Sequence, residues 1–512
     1  MFTAAETGHK VSKQVFDAAA DQLRLEMVEL QQALRTADFP VIILFAGVDG
    51  AGKSESANLL NEWMDPRWLV TRAYDRPSDE EQERPVFWRY WRDLPPKGRI
   101  GLFQSAWYSD ALLDRVYRRI GWTKLDARLQ RIIQFERTLA DDGALILKFW
   151  MHLDKKSQKR RLKSLEKHPD LHWRITDRDW KNYKRYDRFI ETAERLIMRT
   201  STASAPWKIV DGSDHRHRSL TVLTTIRDVV REHLRRRQAE GQISDDLRAE
   251  NAAEDTAIAS VFGNGIGPDP EAYETAGILG SLDLTKQIGR KTYATQLRKL
   301  RARLNEAARK ARADGTSSVL VFEGWDAAGK GGAIRRLTAA LDARYVSVIP
   351  IAAPTDEEQA QHYLWRFWRH ISRAGRFTIY DRSWYGRVLV ERVENLITPR
   401  EWRRAYREIN EFESELAAHG THVMKFWLHI DKDEQEQRFL ARKAIPYKAW
   451  KLTDEDWRNR DKWDEYEAAV NDMIERTSTS TAPWTLVEAN DKRHARLKII
   501  RTVCERLESD LP

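Results

Sequence analysis

The chain has 512 residues, 41% of them hydrophobic and 32% charged, a globular composition that excludes bulk disorder, collagen-like repeats and a disulfide scaffold. Lys and Arg number 87 against 78 Asp and Glu, a net charge of +9; this suits an anionic partner such as phosphate, nucleic acid or a membrane surface without choosing among them. The single cysteine, Cys504, rules out an intrachain disulfide and cysteine-based zinc, and no apolar run approaches the roughly 18 residues of a membrane span, so the expected location is the cytoplasm.

Elements recur along the chain at one fixed offset. A helical stretch over about 12–36 is followed by an apolar strand from Val41 to Ala46, a glycine-rich loop and a helix. Further strands are expected at 98–103, 144–151 and 207–210, with a tryptophan- and charge-rich helical stretch over 155–200 placed to act as a lid. The same series returns 277 residues later: TSTASAPW at 200–207 becomes TSTSTAPW at 477–484, and KFW at 148–150 becomes KFW at 425–427. Of the 20 tryptophans, 14 form seven pairs at this offset. The period is far too long for a solenoid, so it marks a duplicated domain. The expected organisation is an N-terminal copy over 1–234, a linker over 235–280 rich in Ala, Glu, Asp and Gly, and a C-terminal copy over 281–512. Short apolar strands alternating with longer helices predict, in each copy, an α/β fold: a mostly parallel sheet flanked by helices on both faces, with a helical lid.

Residues 47–54 read GVDGAGKS, the G-x-x-x-x-G-K-[ST] phosphate loop with Gly47, Gly52, Lys53 and Ser54 in place. Backbone N–H groups and the helix N-terminus of such a loop cradle phosphate oxygens, and the lysine adds a point charge. Residues 324–331 read GWDAAGKG, with Gly324, Gly329 and Lys330 in place but Gly331 where Ser or Thr usually helps to bind Mg²⁺. Each loop also carries an Asp two residues after its first Gly, Asp49 and Asp326; it serves either a metal or donor, or the loop's own capping.

The copies differ downstream. In FTIYDRSWYGRVLVERV, Asp381 ends an apolar strand, the usual place for a second metal-binding carboxylate in phosphate-loop proteins, and Arg382 and Arg387 follow as guanidinium groups suited to phosphoryl oxygens. At the same offset the N-terminal copy has Gln104, Ser105 and Asp110. An amide is a poor Mg²⁺ ligand, so the N-terminal copy is read as keeping fold and loop while losing the chemistry. The repeated Trp107–Tyr108 and Trp384–Tyr385 are read as core packing. The lid stretch 155–167 carries seven Lys/Arg against one Glu, a polyanion track or a solvated face, whereas 432–444 carries four against three acids. There Arg438, Arg442 and Lys443 are placed to close over a phosphate chain, with Lys448 and Lys451 behind.

GWDAAGKG, YDRSWYGR, HIDKDEQEQRFLAR, WKLTDEDW, RTSTSTAPW, SLDLTK at 281–286 and DKRHARL at 491–497 together resemble the second family of polyphosphate kinases. The resemblance covers 281–507 and, with the losses above, about 9–230. It implies the P-loop (phosphate-loop) kinase-like form of the parallel sheet, that Asp326 and Asp381 bind Mg²⁺ (or Mn²⁺), that Lys330 binds phosphate, that Arg382 is catalytic, and that a glycine at 331 is usual. The fused, duplicated form is similar to the subgroup that phosphorylates AMP to ADP with inorganic polyphosphate. The expected partners are therefore polyphosphate and AMP/ADP, with no nucleic acid or membrane and with a homo-oligomer open. Alternatives are ADP or guanine nucleotides as acceptor, an ATP-dependent nucleotide kinase, for which GVDGAGKS would also serve, and a non-catalytic polyanion-binding protein.

Overall fold

The computed structural model describes residues 1–6, 8–170, 172–262, 277–444 and 454–509. In the N-terminal half, β1 (Val41–Gly47), β2 (Leu69–Ala73), β3 (Ile100–Gln104), β4 (Leu145–His152) and β5 (Trp207–Asp211) form one sheet in the order β2-β3-β1-β4-β5. In the C-terminal half, β6 (Ser318–Gly324), β7 (Val346–Pro350), β8 (Phe377–Asp381), β9 (His422–His429) and β10 (Trp484–Glu488) form a second, β10-β9-β6-β8-β7, which is the same order read from the other edge. The pairings are parallel, as the alternation of strand and helix requires. The main helices are α1 (Lys13–Leu34), α2 (Lys53–Trp63), α3 (Trp122–Asp141), α4 (Lys155–Lys167), α5 (Asp177–Tyr183), α6 (His215–Phe262), α7 (Arg290–Ala313), α8 (Lys330–Thr338), α9 (Pro399–Ala418), α10 (Lys432–Lys443), α11 (Asp454–Asp461) and α12 (Lys492–Glu508).

Four of the five strands in each sheet match the sequence expectation; β2 and β7 do not appear in it. Both lie at a sheet edge and are partly exposed, so neither shows the continuous apolar run of a buried parallel strand. Their presence makes the strand that ends in Asp381 the third of its sheet in chain order rather than the second. Helix α6 continues through Phe262, well into the segment read as a linker. Lys448 and Lys451 lie outside the described residues.

The chain divides into two compact units. One comprises Met1–Arg76, Tyr90–Glu271 and Asp356–His362; the other comprises Pro77–Arg89, Ala272–Thr355 and Tyr363–Pro512. Each thus includes a short segment of the other repeat, a feature that self-comparison of the sequence does not reveal. Within the first unit the Lys97 N–H donates to the Ala360 carbonyl at 2.8 Å. Within the second, Arg373 pairs with Glu83 through two bonds of 2.6 and 2.7 Å.

The core of each unit holds one buried charged pair on its longest strand. Lys148 on β4 donates to Glu136 at 2.7 Å, to the Tyr108 hydroxyl at 2.9 Å and to the Thr200 carbonyl at 2.7 Å. Lys425 on β9 donates to Glu413, Tyr385 and the Thr477 carbonyl at 2.7, 2.8 and 2.7 Å. Trp107 and Tyr108 donate to the other oxygen of Glu136, as Trp384 and Tyr385 do to Glu413. A buried ion pair is tolerable only when its remaining hydrogen-bonding capacity is met, and here it is met identically twice. The paired tryptophans and tyrosines are therefore core residues, as their repetition implies. They also bolt down the segment that follows β3 and β8, where the two copies diverge.

Candidate active site

Each phosphate loop leaves the C-terminal end of the central strand. This is the switch point at which open parallel sheets bind ligands. In both loops the last glycine before the lysine takes a left-handed conformation, φ +100° at Gly52 and +111° at Gly329, and helices α2 and α8 begin at Lys53 and Lys330. The β6–β8 register sets Phe322 beside Asp381, so the second carboxylate arrives at the same edge of the sheet as the loop.

Around the C-terminal loop the expected residues converge. Arg382 donates to Asp326 at 3.2 Å, and Asn459 on α11 donates to the other Asp326 oxygen at 3.1 Å. Burial alone would raise the Asp326 carboxyl, but Lys330, Arg382 and Asn459 bring it below the ordinary carboxylate value, so it is ionised at neutral pH. Lys330 Nζ donates to the Gly324 carbonyl at 2.5 Å and to the Trp325 carbonyl at 3.4 Å; the amine is folded onto its own loop. A Cβ at Gly331 would stand 3.9 Å from the Asp381 carboxylate, so the missing side chain leaves the face of Asp381 clear.

Asp326, Lys330, Gly331, Asp381 and Arg382 line a cleft of about 570 Å³. Among the described residues Arg335 on α8, Arg438 and Arg442 on α10, and Lys492 and Arg496 on α12 also border it. Of these the sequence reading named Arg438 and Arg442 as phosphate contacts, missed Arg335, and quoted Lys492 and Arg496 only within the motif DKRHARL without giving them a role. The signal was present in the repeat, because the positions 277 residues earlier hold Asn58, His215 and Ser219.

Three expected phosphate-binding residues are placed differently. Arg387 does not line the cleft; it pairs with Glu391 at 2.7 Å and Glu401 at 3.0 Å and is largely buried. Arg438 does reach the cleft wall, yet its guanidinium is spent on the carbonyls of Ala327, Ala328, Ala489 and Asn490 at 2.7–2.9 Å and on Glu434. It clamps the loop rather than closing over it. Lys443 is absent from the residues that line the cleft.

The N-terminal loop has the same backbone and a different mouth. Asn182 holds Asp49 at 2.9 Å, as Asn459 holds Asp326, and Lys53 again bonds its own loop carbonyls. Ser54, however, donates to Gln104 at 2.8 Å, closing the space that Gly331 leaves open before Asp381. Arg218 is buried over the loop, paired with Glu55 at 2.5 Å, and Arg161 joins the same carboxylate. A Cβ at Gly52 would run into the Arg218 guanidinium, whereas at Gly329 nothing lies within 4 Å. The C-terminal counterparts of Arg218 and Glu55 are Ala495 and Gly332. The more regular of the two loop sequences is thus the one filled by the protein's own side chain.

Two carboxylates suit Mg²⁺, a hard cation commonly held by one or two carboxylates together with substrate phosphates and water. Asp326 and Asp381 would be the donors on this cleft; among the described residues no group of three or more His, Cys, Asp or Glu is arranged to hold a metal. No helix among the described residues is long and apolar enough to cross a membrane.

Comparison with known proteins gives a consistent picture. The family model for polyphosphate kinase 2 matches residues 10–238 and again 287–512. The chain is 50% identical over 511 residues to a polyphosphate:AMP phosphotransferase of Pseudomonas aeruginosa, covering 99% of each. It is 46% identical to the enzyme of the same name from Pseudomonas syringae pv. tomato, covering 99% of this chain and 98% of that one. The crystal structure of a polyphosphate kinase 2 from Pseudomonas aeruginosa PA01 superposes with a TM-score of 0.86 at 48% identity, covering 99% of both chains.

Proposed function

The chain belongs to the polyphosphate kinase 2 family, and from that premise we propose that it transfers a phosphoryl group from inorganic polyphosphate to AMP, giving ADP, in its C-terminal copy. The observation that carries the assignment to this copy is the convergence of Asp326, Lys330, Asp381 and Arg382 on one cationic cleft, set against the filled loop of the other copy.

Phosphoryl transfer asks mainly for positioning and charge neutralisation. Asp326 and Asp381 would hold Mg²⁺, which when bound would supply charge neutralisation to the reacting phosphates. Lys330 turns from its loop carbonyls to the phosphate that replaces them, and the half-exposed Arg382 neutralises the equatorial oxygens of the transferred group. Arg335, Arg442, Lys492 and Arg496 face the rest of the donor chain. The nucleophile is an oxygen of the AMP phosphate. It is already anionic, so no general base is needed: its bond to phosphorus forms as the terminal phosphoanhydride P–O bond of polyphosphate breaks, and the donor leaves one phosphate shorter.

The test is an acceptor panel. Purified chain with Mg²⁺ and polyphosphate is offered AMP, ADP, GMP or GDP, and the products are separated. ADP formed from AMP at the highest kcat/KM supports the reading. Preferential phosphorylation of a diphosphate would move the protein to another branch of the family, and activity with ATP but not polyphosphate would overturn the donor.

A further inference from the structure

Glu323 is the last residue of β6 before the loop glycine and is 5% exposed. Burying a carboxylate is costly unless it is hydrogen-bonded and offset by charge. The Ser383 hydroxyl meets it, donating to Glu323 Oε1 at 2.8 Å and at the same time accepting from the Tyr385 N–H at 3.3 Å. Burial pushes the Glu323 carboxyl up, opposed by Lys330, Ser383 and Arg382.

The residue between Asp381 and Ser383 is Arg382, held at φ +64°, a left-handed conformation that is strained for a non-glycine residue. The end of β6 grips it from two sides. The Arg382 N–H donates to the Phe322 carbonyl at 3.1 Å, and Glu323 takes the next side chain along.

The N-terminal copy supplies the control. At the matching positions Glu323 becomes Ala46 and Ser383 becomes Ala106, so both partners of the bond are missing together. Yet the same turn forms: Ser105 sits at φ +53° and its N–H donates to the Phe45 carbonyl at 3.3 Å. The carboxylate–hydroxyl bond is therefore not needed to fold the turn. It is present only where the residue at its apex is an arginine aimed at Asp326.

We infer that Glu323 and Ser383 form a positioning pair that fixes where Arg382 presents its guanidinium during transfer. In this reading Glu323 acts through Ser383 and the turn, as a positioning residue. This rests on the reading of the C-terminal copy as the transfer centre.

The experiment compares Glu323→Ala, Ser383→Ala, the double variant, Glu323→Gln and Asp381→Asn in the full chain, measuring kcat and KM for AMP and polyphosphate together with the melting temperature. Each alanine variant is expected to lower kcat about 10–100-fold, the scale of a misplaced catalytic group, with KM values within about 3-fold. Melting should change little in Glu323→Ala and the double variant, since the other copy folds with both alanines, and should fall in Ser383→Ala, which leaves the buried carboxylate without its donor. The double variant should be no worse than Glu323→Ala, because one bond is lost either way. Glu323→Gln, which still offers Oε1 to Ser383, should recover to within about 5-fold of the parent. Unchanged kcat in Glu323→Ala or Ser383→Ala, additive losses in the double variant, or a Gln variant as slow as the Ala variant would each overturn the pair. Full activity in Asp381→Asn would instead show that the underlying reading of the centre has failed.

Discussion

The two halves of this chain share a sheet order, a loop backbone and a buried Lys–Glu–Tyr–Trp network, and they differ almost wholly in what faces the loop. Where the C-terminal copy has Asp381, Arg382 and Gly331, the N-terminal copy has Gln104, Ser105 and Ser54, with the last hydrogen-bonded to the first. Where the C-terminal loop is bordered by Ala495 and Gly332, the N-terminal loop carries Arg218 locked onto Glu55. The difference separates two sets of residues that a single domain would have confounded. Lys148/Lys425, Glu136/Glu413 and the Trp–Tyr pairs are buried in the same network in both copies, away from either loop, and belong to the fold. Asp381, Arg382, Glu323, Ser383, Arg335, Lys492 and Arg496 occur in one copy only, as expected if transfer takes place there as proposed.

The largest effect expected from breaking this asymmetry is at Asp381. Asp381→Asn installs an amide, the group that the N-terminal copy already has there, and should lower turnover by at least about 10³-fold, the scale of losing a group that stabilises transition-state charge; near-normal turnover in the purified variant would remove Asp381 from the centre. Next come changes that should not distinguish the copies. Truncating either buried lysine, Lys148→Ala or Lys425→Ala, leaves a carboxylate buried without its cation and should cost about 3–5 kcal/mol of stability in its own copy, read by chemical denaturation. A small loss in either would assign the network a lesser role. The smallest effect concerns helix α4, whose exposed face carries Lys156, Lys159, Arg160, Lys163 and Lys167 where α10 and its C-cap have Asp433, Glu436, Gln437, Leu440 and Ala444. Charge reversal at Lys159, Arg160 and Lys163 should weaken binding of long polyphosphate more than short, and flatten its salt dependence, since a phosphate that is no longer neutralised by the protein keeps its counterions. An unchanged chain-length dependence would leave the stripe as a solvated face.

Much of this was legible in the sequence because duplication prints every position twice. The offset located both loops, four of five strands per sheet and the loss of Asp381 and Arg382 in the first copy. What it did not reveal has physical causes. The edge strands Leu69–Ala73 and Val346–Pro350 are short and half solvated, so they lack an apolar signature. Arg387 and Arg438 have the right charge near the right motif, but one is held by Glu391 and Glu401 and the other by four carbonyls; residue type does not report how a guanidinium is spent. Arg335, Lys492 and Arg496 come from helices far apart in sequence and meet only in the folded cleft. Arg218 was hidden by an intact motif: GVDGAGKS says what a loop can bind, not whether another side chain already sits there.

The central claim is that transfer resides in the C-terminal copy alone, and the most direct test is the paired truncation of the loop lysines. With polyphosphate, AMP and Mg²⁺, Lys330→Ala should lose turnover by roughly 10²-fold or more, as removal of a phosphate-positioning charge does, while Lys53→Ala stays within about 3-fold of the parent. Equal losses in the two variants would contradict the account and make the N-terminal loop a working site.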